Sequence, residues 1–189
     1  MADKKSLFGK LVRKLVKKDN EIKPCPEEGI FVLKGQVNND MACEIIKGMF
    51  EFSKRCPGKT ITLYINSEGG YVTSGMAVYD TMRALQNPIR TIAYECVGGI
   101  SSLLLATGTQ GMREALQGTR ISIGSFLMRG DSGQPSELLH SALEKVMSAF
   151  ALQTGNTQEQ IRKVIGEKEW LSVKQAMQIG LIDALADKD

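Results

Sequence analysis

The sequence predicts an α/β fold in which repeated β-α units build a mainly parallel sheet. The first observation is a β-branched, apolar run at residues 60–66 that passes through a glycine turn into a helical pattern over 73–85. The second is that the same unit recurs at 90–108, and a third strand-like run follows at 119–123. Alternating elements of this length favour right-handed crossovers and parallel neighbouring strands.

Each element follows from apolar periodicity and from the turn residues that bound it. Strands are predicted at residues 30–33, 60–66, 91–94, 119–123 and 181–185. Helices are predicted at residues 40–53, 73–85, 100–106 and 137–152, and between Ser172 and Gly180. Three helices have candidate N-caps, namely Asp40, Ser136 and Ser172. The helix at 73–85 is expected to face the sheet with Met76, Ala77, Tyr79, Ala84 and Leu85.

The turns and connectors between these elements are also predicted from their residues. Residues 56–59 read as a turn, and Asn87-Pro88 ends the preceding helix because proline cannot continue it. Residues 111–118 read as a connector without regular structure, and residues 129–136 are polar and glycine-rich.

Composition limits the function classes. The chain of 189 residues suits one domain, and 42% hydrophobic with 24% charged residues is typical of a globular protein. No apolar run approaches the roughly 20 residues that span a bilayer, and no cleavable signal peptide is evident. The four cysteines lack a CxxC pair, which predicts reduced thiols and no metal site: Cys25, Cys43, Cys56 and Cys96.

Residues 1–29 are predicted to form a basic tail and a linker ahead of a domain at 30–187. Seven Lys or Arg and two Asp lie within residues 1–20, so this segment carries +5 although the whole chain carries +3. The domain body is therefore slightly acidic, which argues against a nucleic-acid surface on it. Pro24 and Pro26 break regular structure in the linker.

Within the tail, residues 6–18 place apolar pairs at four-residue spacing with basic residues between them. This pattern predicts a short amphipathic helix that Ser6 caps. Three interpretations stay open: a helix that docks on a membrane surface or a partner, a soluble basic tail, or part of an organelle presequence.

The corner at Gly98-Gly99, between a strand and a helix, is the most informative position. In α/β enzymes such a corner presents a nucleophilic side chain beside a helix N-terminus, which stabilises negative charge. Here both residues are glycine, so the corner offers no reactive group.

Three ordered blocks carry a resemblance to a known family. The first is Thr62-Leu-Tyr-Ile-Asn-Ser-Glu-Gly-Gly70 with the helix Gly75-Met-Ala-Val-Tyr-Asp-Thr-Met82. The second is the Gly98-Gly99 corner, and the third is Lys168-Glu-Trp-Leu-Ser172 with Ile179-Gly-Leu-Ile-Asp183. Residues 30–185 thereby resemble the proteolytic subunit of the Clp protease (ClpP-like), a serine peptidase within the crotonase-related fold.

The resemblance implies where a catalytic triad would lie. Without gaps inside each block, the family's serine falls on Gly99, its histidine on Gly124 and its aspartate on Val164. Serine hydrolysis needs a hydroxyl, a base and an orienting carboxylate, and all three groups are missing. The closest resemblance is therefore to the non-catalytic (ClpR-type) members, and no catalytic, cofactor-binding or metal-binding residue is assigned.

Few other residues could replace the missing triad groups. Ser101 and Ser102 follow the corner, but the helix rotates them about 200° and 300° from residue 99, so packing against neighbouring strands is expected. The single histidine, His140, falls on the predicted long helix. A Ser-Lys dyad with Lys163 or Lys168 would need a shifted nucleophile and a desolvated lysine.

The resemblance also implies a remnant of the substrate cleft. Gly69 and Gly70 match the backbone that supplies oxyanion amides and pairs with an extended peptide, whereas Glu68 stands where the family has proline. A carboxylate there would repel a developing oxyanion. Two interpretations stay open: peptide binding without cleavage, or glycines that only the turn requires.

Two departures from the family concern assembly. The handle, a strand and a long helix at about residues 125–153, is shorter than usual, and the family uses it to lock two rings together. Pro24 and Pro26 occupy the approach to the family's chaperone-docking cleft. Double-ring closure and direct chaperone contact are thus in doubt, whereas lateral packing into a homo- or hetero-oligomeric ring is expected.

The expected function is a structural or regulatory, non-catalytic ClpP-like subunit in a Clp proteolytic complex with active paralogues, touching an AAA+ chaperone only indirectly. The alternatives are a stand-alone peptide-binding or surface-recruited module, and a divergent serine peptidase that uses Ser101 or Ser102. No cofactor and no nucleic-acid partner are expected. The expected location is the cytoplasm, with an organelle matrix or stroma as the alternative.

Overall fold

The computed structural model describes residues 16–17, 21–22, 24–124, 137–167 and 170–186. The strands are β1 (Val16–Lys17), β2 (Glu21–Ile22), β3 (Ile30–Lys34), β4 (Ile61–Ser67), β5 (Ile89–Val97), β6 (Arg113–Leu116), β7 (Arg120–Ile121) and β8 (Ala184–Ala186). The helices are α1 (Asn39–Arg55), α2 (Val72–Ala84), α3 (Ile100–Ala106), α4 (Glu137–Thr154), α5 (Gln158–Glu167) and α6 (Val173–Gln178). Among these described residues no helix is long and apolar enough to span a bilayer.

Six strands form one sheet in the order β3-β4-β5-β6-β8, and β7 also pairs with β5. All neighbours in this sheet are parallel, and the register aligns Val32, Tyr64 and Ile92 across β3, β4 and β5. The short β1 and β2 pair with each other in antiparallel orientation. The predicted α/β fold with a mainly parallel sheet is confirmed.

The two faces of the sheet have different surroundings. One face packs against the helices and forms the main core, in which β3 and β4 contribute Leu33, Leu63 and Ile65 and the helices contribute Met49, Val78 and Leu103. Because strand side chains alternate, the residues between them point to the opposite face. That opposite face holds a smaller buried cluster made of strand residues and Cys25.

The helix caps correct one prediction and confirm another. The N-cap of α1 is Asn38, whose side chain accepts a hydrogen bond from the Met41 amide at 3.0 Å. Asp40 cannot take this position because it already lies inside the helix. Ser172 caps α6 as predicted, with Gln175 completing a capping box. The cap predicted at Ser136 lies outside the described residues.

Several elements were not predicted. In the predicted linker, Glu21–Ile22 form β2 and Pro26–Glu28 form one turn of 3-10 helix, and in the domain β6 and α5 were missed. Residues 111–118 were expected to be a connector, but Arg113–Leu116 form β6, because the pairing with β5 and β8 outweighs the charges of this short segment. Helix α5 was missed as well, since its apolar positions are few and its mean hydropathy is low. The final strand is Ala184–Ala186, whereas residues 181–185 were predicted.

Other boundaries differ in ways that packing explains. On α2, Ala77 and Ala84 are exposed, whereas Val78 and Met82 are buried, so the buried stripe is rotated from the predicted one. The amphipathic helix predicted at 6–18 does not extend through its last turn, because Val16–Lys17 form a strand paired with β2. Residues 6–15 lie outside the described part of the chain.

A buried ion pair joins β6 to the turn before β8. The Arg113 guanidinium donates to Asp183 Oδ1 at 2.5 Å and to Oδ2 at 2.9 Å, and it also donates to the Gln153 carbonyl at 2.8 Å. The Asp183 carboxylate accepts two backbone amides, from Gly111 at 2.7 Å and from Arg113 at 3.1 Å. This cluster ties the last strand and the end of α4 to the sheet.

The Asp183 carboxylate predicts a stability change in acid. Burial by itself would raise its pKa, but the hydrogen bonds and charge of Arg113, with the Gly111 amide, hold the pKa below the usual range. Its stabilising contribution is therefore complete above the unfolded-state pKa of about 3.9 and is lost as pH falls through the folded-state value. Denaturation at about pH 7 and about pH 3 checks this: the stability gap between the wild type and Asp183→Asn should shrink in acid. An unchanged gap would contradict the prediction.

Candidate functional site

The corner at Gly98-Gly99 lies at the carboxyl ends of β4 and β5. The Gly98 amide donates to the Ser67 carbonyl at 2.8 Å, which ties the ends of the two strands together. Gly99 has φ 49° and ψ −128°, in the left-handed region that favours glycine. Helix α3 starts at the next residue and is buried along its whole length. The corner therefore has the sharp turn that presents a nucleophile, without a side chain.

Two loops meet at this corner backbone to backbone. A Cβ on Gly69 would lie 2.9 Å from the Gly98 carbonyl oxygen, and a Cβ on Gly98 would lie 2.9 Å from the Glu68 carbonyl oxygen. Both positions therefore need glycine for close approach, whatever else they do.

Val37 occupies one side of the Gly69-Gly70 segment. Its amide donates to the Gly69 carbonyl at 2.8 Å, and its carbonyl accepts from the Tyr71 amide at 2.8 Å. The Gly69 amide donates to Ser67 Oγ at 3.1 Å. An oxyanion role for Gly69 would require the Ser67 hydroxyl to release that amide.

The other two positions at which the sequence resemblance predicts triad residues, Gly124 and Val164, lie near this edge of the sheet. Gly124 follows β7, which pairs with β5, and just beyond β7 the Ser122 amide donates a further hydrogen bond to the Val97 carbonyl at 2.8 Å. A Cβ on Gly124 would lie 3.6 Å from Ile165 Cγ2 on α5, an ordinary contact. Val164 precedes that isoleucine and is half-buried against the main core. Neither position carries a titratable group.

The substitute nucleophiles are buried. Ser101 and Ser102 are both 0% exposed. The Ser101 hydroxyl donates to Ser67 Oγ at 2.9 Å, and the Ser102 hydroxyl donates to the Gly99 carbonyl at 2.7 Å. Hydroxyls bonded to another hydroxyl and to a backbone carbonyl have no general base, so this arrangement provides no activated nucleophile.

Among the described residues, those that the sequence offers as general bases are not found in contact with these serines. His140 is exposed on α4 and Lys163 is exposed on α5. Lys168 lies outside the described residues. Within the described ranges no group of three or more His, Cys, Asp or Glu side chains is placed to hold a metal ion.

A groove of about 650 Å³ adjoins the corner. Most of the residues that line it were not predicted from the sequence as site residues. Its polar lining consists of Lys34, Gln36, Asn66, Ser67, Glu68, Glu95 and Cys96. The β4–β5 register shifts here, and Glu95 takes φ 58°, rare for a residue other than glycine. The Asn66 side-chain amide donates to Glu95 Oε2 at 2.6 Å and so anchors this conformation. The one sequence signal was that two polar residues follow the apolar run at 91–94.

Cys96 contacts the Glu68 carboxylate. Its Sγ lies 3.8 Å from Glu68 Oε1. Burial raises the pKa of the Cys96 thiol, the charge of Glu68 and its hydrogen bond raise it further, and the charge of Arg120 lowers it. This shift favours the protonated thiol, which is the less reactive form.

The substitution Glu68→Gln should make Cys96 react faster with iodoacetamide, by about twofold or more near neutral pH, because the thiolate is the reacting species. Mass spectrometry of digested protein measures alkylation of each cysteine separately. Cys43, exposed on α1, is the internal control and should keep its rate. Equal rates at Cys96 before and after the substitution would show that Glu68 does not control this thiol.

Comparison with known proteins adds an independent observation to this geometry. Residues 17–189 match the sequence profile described as "Clp protease". A protein of Pleurastrum terricola described as "ATP-dependent Clp protease proteolytic subunit" is 33% identical over 166 residues, which cover 85% of this chain and 84% of that relative.

Proposed function

Because this chain belongs to the Clp protease family, we propose that it is a non-catalytic subunit of a Clp proteolytic complex, assembled in a ring with active paralogues. The observation that carries the proposal is the backbone of Gly99, with φ 49° and ψ −128° at the start of α3. This corner retains the turn of a nucleophile site, and it has no hydroxyl to present.

The surroundings of the corner support the same interpretation. Gly124 offers no imidazole, and Val164 offers no carboxylate, so a hydroxyl at the corner would have neither base nor orienting group. A divergent peptidase that uses Ser101 or Ser102 fits less well, because both hydroxyls are buried and hydrogen-bonded away from any base.

The groove beside the corner favours a second candidate, binding of an extended peptide without cleavage. The groove has a volume of about 650 Å³, large enough for several peptide side chains, and its charged lining residues are Glu68, Glu95 and Lys34. In this second function the subunit would hold a peptide in the complex and leave hydrolysis to active neighbours. A cytoplasmic or organelle-matrix location is part of the proposal.

Assembly with active paralogues is tested by affinity purification from the native host followed by native mass spectrometry of the intact complex. The expected result is this chain together with catalytic Clp subunits in a fixed ratio. A complex that contains only copies of this chain, or the chain alone, would overturn the proposal.

Restoring the serine alone should not restore catalysis. The variant Gly99→Ser is expected to show no hydrolysis of a small fluorogenic peptide above the wild-type background, because no base stands at 124 and no carboxylate at 164. It should also be less stable by about 1–2 kcal/mol, since a serine is strained at this φ.

A catalytic Clp subunit assayed in parallel shows that the peptide is cleavable, and a fluorophosphonate probe reports any activated serine. Gly99→Ala is the matched control, because it introduces the same strain without the hydroxyl. If Gly99→Ser hydrolysed the peptide or took up the probe while Gly99→Ala did not, a base would exist that the proposal denies.

A further inference from the structure

The Ser67 hydroxyl lies at the end of β4 and lines the groove beside the corner. Its oxygen accepts a hydrogen bond from the Gly69 amide at 3.1 Å and a second one from the Ser101 hydroxyl at 2.9 Å. The same hydroxyl donates to the Gly69 carbonyl at 3.4 Å. A serine hydroxyl has one donor and two acceptor positions, so all three positions of Ser67 are used.

These hydrogen bonds are shielded from solvent. Ser67 is 2% exposed and Ser101 is 0% exposed. Ser101 belongs to α3, which is buried along its whole length. The Ser67 carbonyl accepts a further hydrogen bond from the Gly98 amide at 2.8 Å, so this residue is held through its backbone as well as its side chain. A buried hydroxyl that loses its partner has no water to replace it, and its hydrogen bond is therefore costly to break.

We propose that Ser101 is a positioning residue: through Ser67 it keeps the Gly69 amide occupied, so that the groove does not offer this donor to a ligand. To release the Gly69 amide, the Ser67 side chain must change rotamer. The same rotation takes the acceptor away from the buried Ser101 hydroxyl. Release of the amide is thereby coupled to the loss of a buried hydrogen bond from α3.

The two serines that follow the corner therefore have different roles. Ser102 is also 0% exposed, but its hydroxyl donates to the Gly99 carbonyl at 2.7 Å, at the start of its own helix. The Ser101 hydroxyl instead reaches across to the end of β4. For the peptide binding proposed above, this means that a peptide carbonyl can use the Gly69 amide only after it displaces the Ser67 hydroxyl.

Hydrogen–deuterium exchange of the full chain, resolved to single amides by mass spectrometry with fragmentation, tests this role. In Ser101→Ala the Gly69 amide should exchange about tenfold faster than in the wild type, because Ser67 can then rotate without depriving a buried hydroxyl of its acceptor. Ser102→Ala is the matched control, since it removes an equally buried hydroxyl and should leave the Gly69 rate unchanged. The Leu171 amide, hydrogen-bonded to β7 at 2.6 Å, should keep its rate in both variants.

A second comparison shows whether Ser101 acts through Ser67. Ser67→Ala removes the acceptor of the Gly69 amide and should give the fastest exchange. Adding Ser101→Ala to Ser67→Ala should accelerate the exchange no further, because the connection from residue 101 to the amide is already broken.

Four results would overturn the inference. Two concern single variants: an unchanged Gly69 rate in Ser101→Ala, or an equal acceleration in Ser102→Ala. The third is an acceleration of the Leu171 amide together with Gly69, which would indicate general destabilisation. The fourth is additivity of the two substitutions at residues 67 and 101. The measurement uses no peptide and no paralogue, so its outcome is independent of the proposed function.

Discussion

Replacing Arg113 with methionine should lower the free energy of unfolding by about 3–5 kcal/mol, the cost expected when one partner of a buried ion pair is removed. The Arg113 side chain is 7% exposed and forms two hydrogen bonds to Asp183. Methionine fills similar space, so the loss is mainly electrostatic: it leaves the Asp183 carboxylate without its cation and the Gln153 carbonyl without its donor. Such a loss is a large share of a domain's total stability.

Chemical denaturation in urea measures this loss, and an exposed ion pair supplies the control. Arg162 on α5 pairs with Glu144 on α4, but both side chains are largely solvent-exposed, so Arg162→Met should cost no more than about 1 kcal/mol. Similar losses for the two variants would show that burial of Arg113 does not determine its contribution. The double variant Arg113→Met with Asp183→Leu should recover part of the stability, since it removes the uncompensated charge.

Replacing Gly70 with alanine should destabilise the fold by about 3 kcal/mol. A Cβ at this position would lie 2.2 Å from the Val37 carbonyl oxygen and 2.5 Å from its amide nitrogen. Backbone atoms cannot avoid the methyl group by changing rotamer, so the Val37 segment and the Gly70 segment must move apart. That separation breaks the two hydrogen bonds through which Val37 holds Gly69 and Tyr71.

Thermal and urea denaturation measure the effect, and Gly166 provides a matched control. A Cβ on Gly166, in α5, would meet nothing within 4 Å, so Gly166→Ala should stabilise the protein by up to about 1 kcal/mol through helix propensity. A Gly70→Ala protein as stable as the wild type would mean that the Val37 segment moves easily. The Gly69-Gly70 backbone would then be available to an incoming peptide.

Local periodicity was enough to predict most of the sheet. The run at 60–66 and helix α3 both have strong apolar patterns, and the structure has them within one or two residues. Prediction failed where pairing decides the conformation. Arg113–Leu116 is a strand because β5 and β8 flank it, and no pattern within four residues that include two charges could indicate that.

The candidate site was likewise predicted from the sequence only in part. The glycines at 69, 70, 98 and 99 were identified from their place between strand and helix. Their close contacts, and the hydrogen bond that engages the Gly69 amide, depend on how two loops meet. Asn66, Glu95 and Cys96 were not predicted as groove residues, because the register shift between β4 and β5 that gathers them is a property of the paired strands.

Alternation of apolar residues and the residue types at single positions establish the fold class and the absence of side chains for acid–base and nucleophilic chemistry at positions 99, 124 and 164. Both are local properties, read from alternation and from the residue type at a position. The folded chain is needed to see which distant groups meet: Arg113 with Asp183, Ser101 with Ser67, and Gly124 with α5. Such contacts join residues far apart in the chain, so they depend on strand order, register and packing, and no short stretch of sequence encodes them.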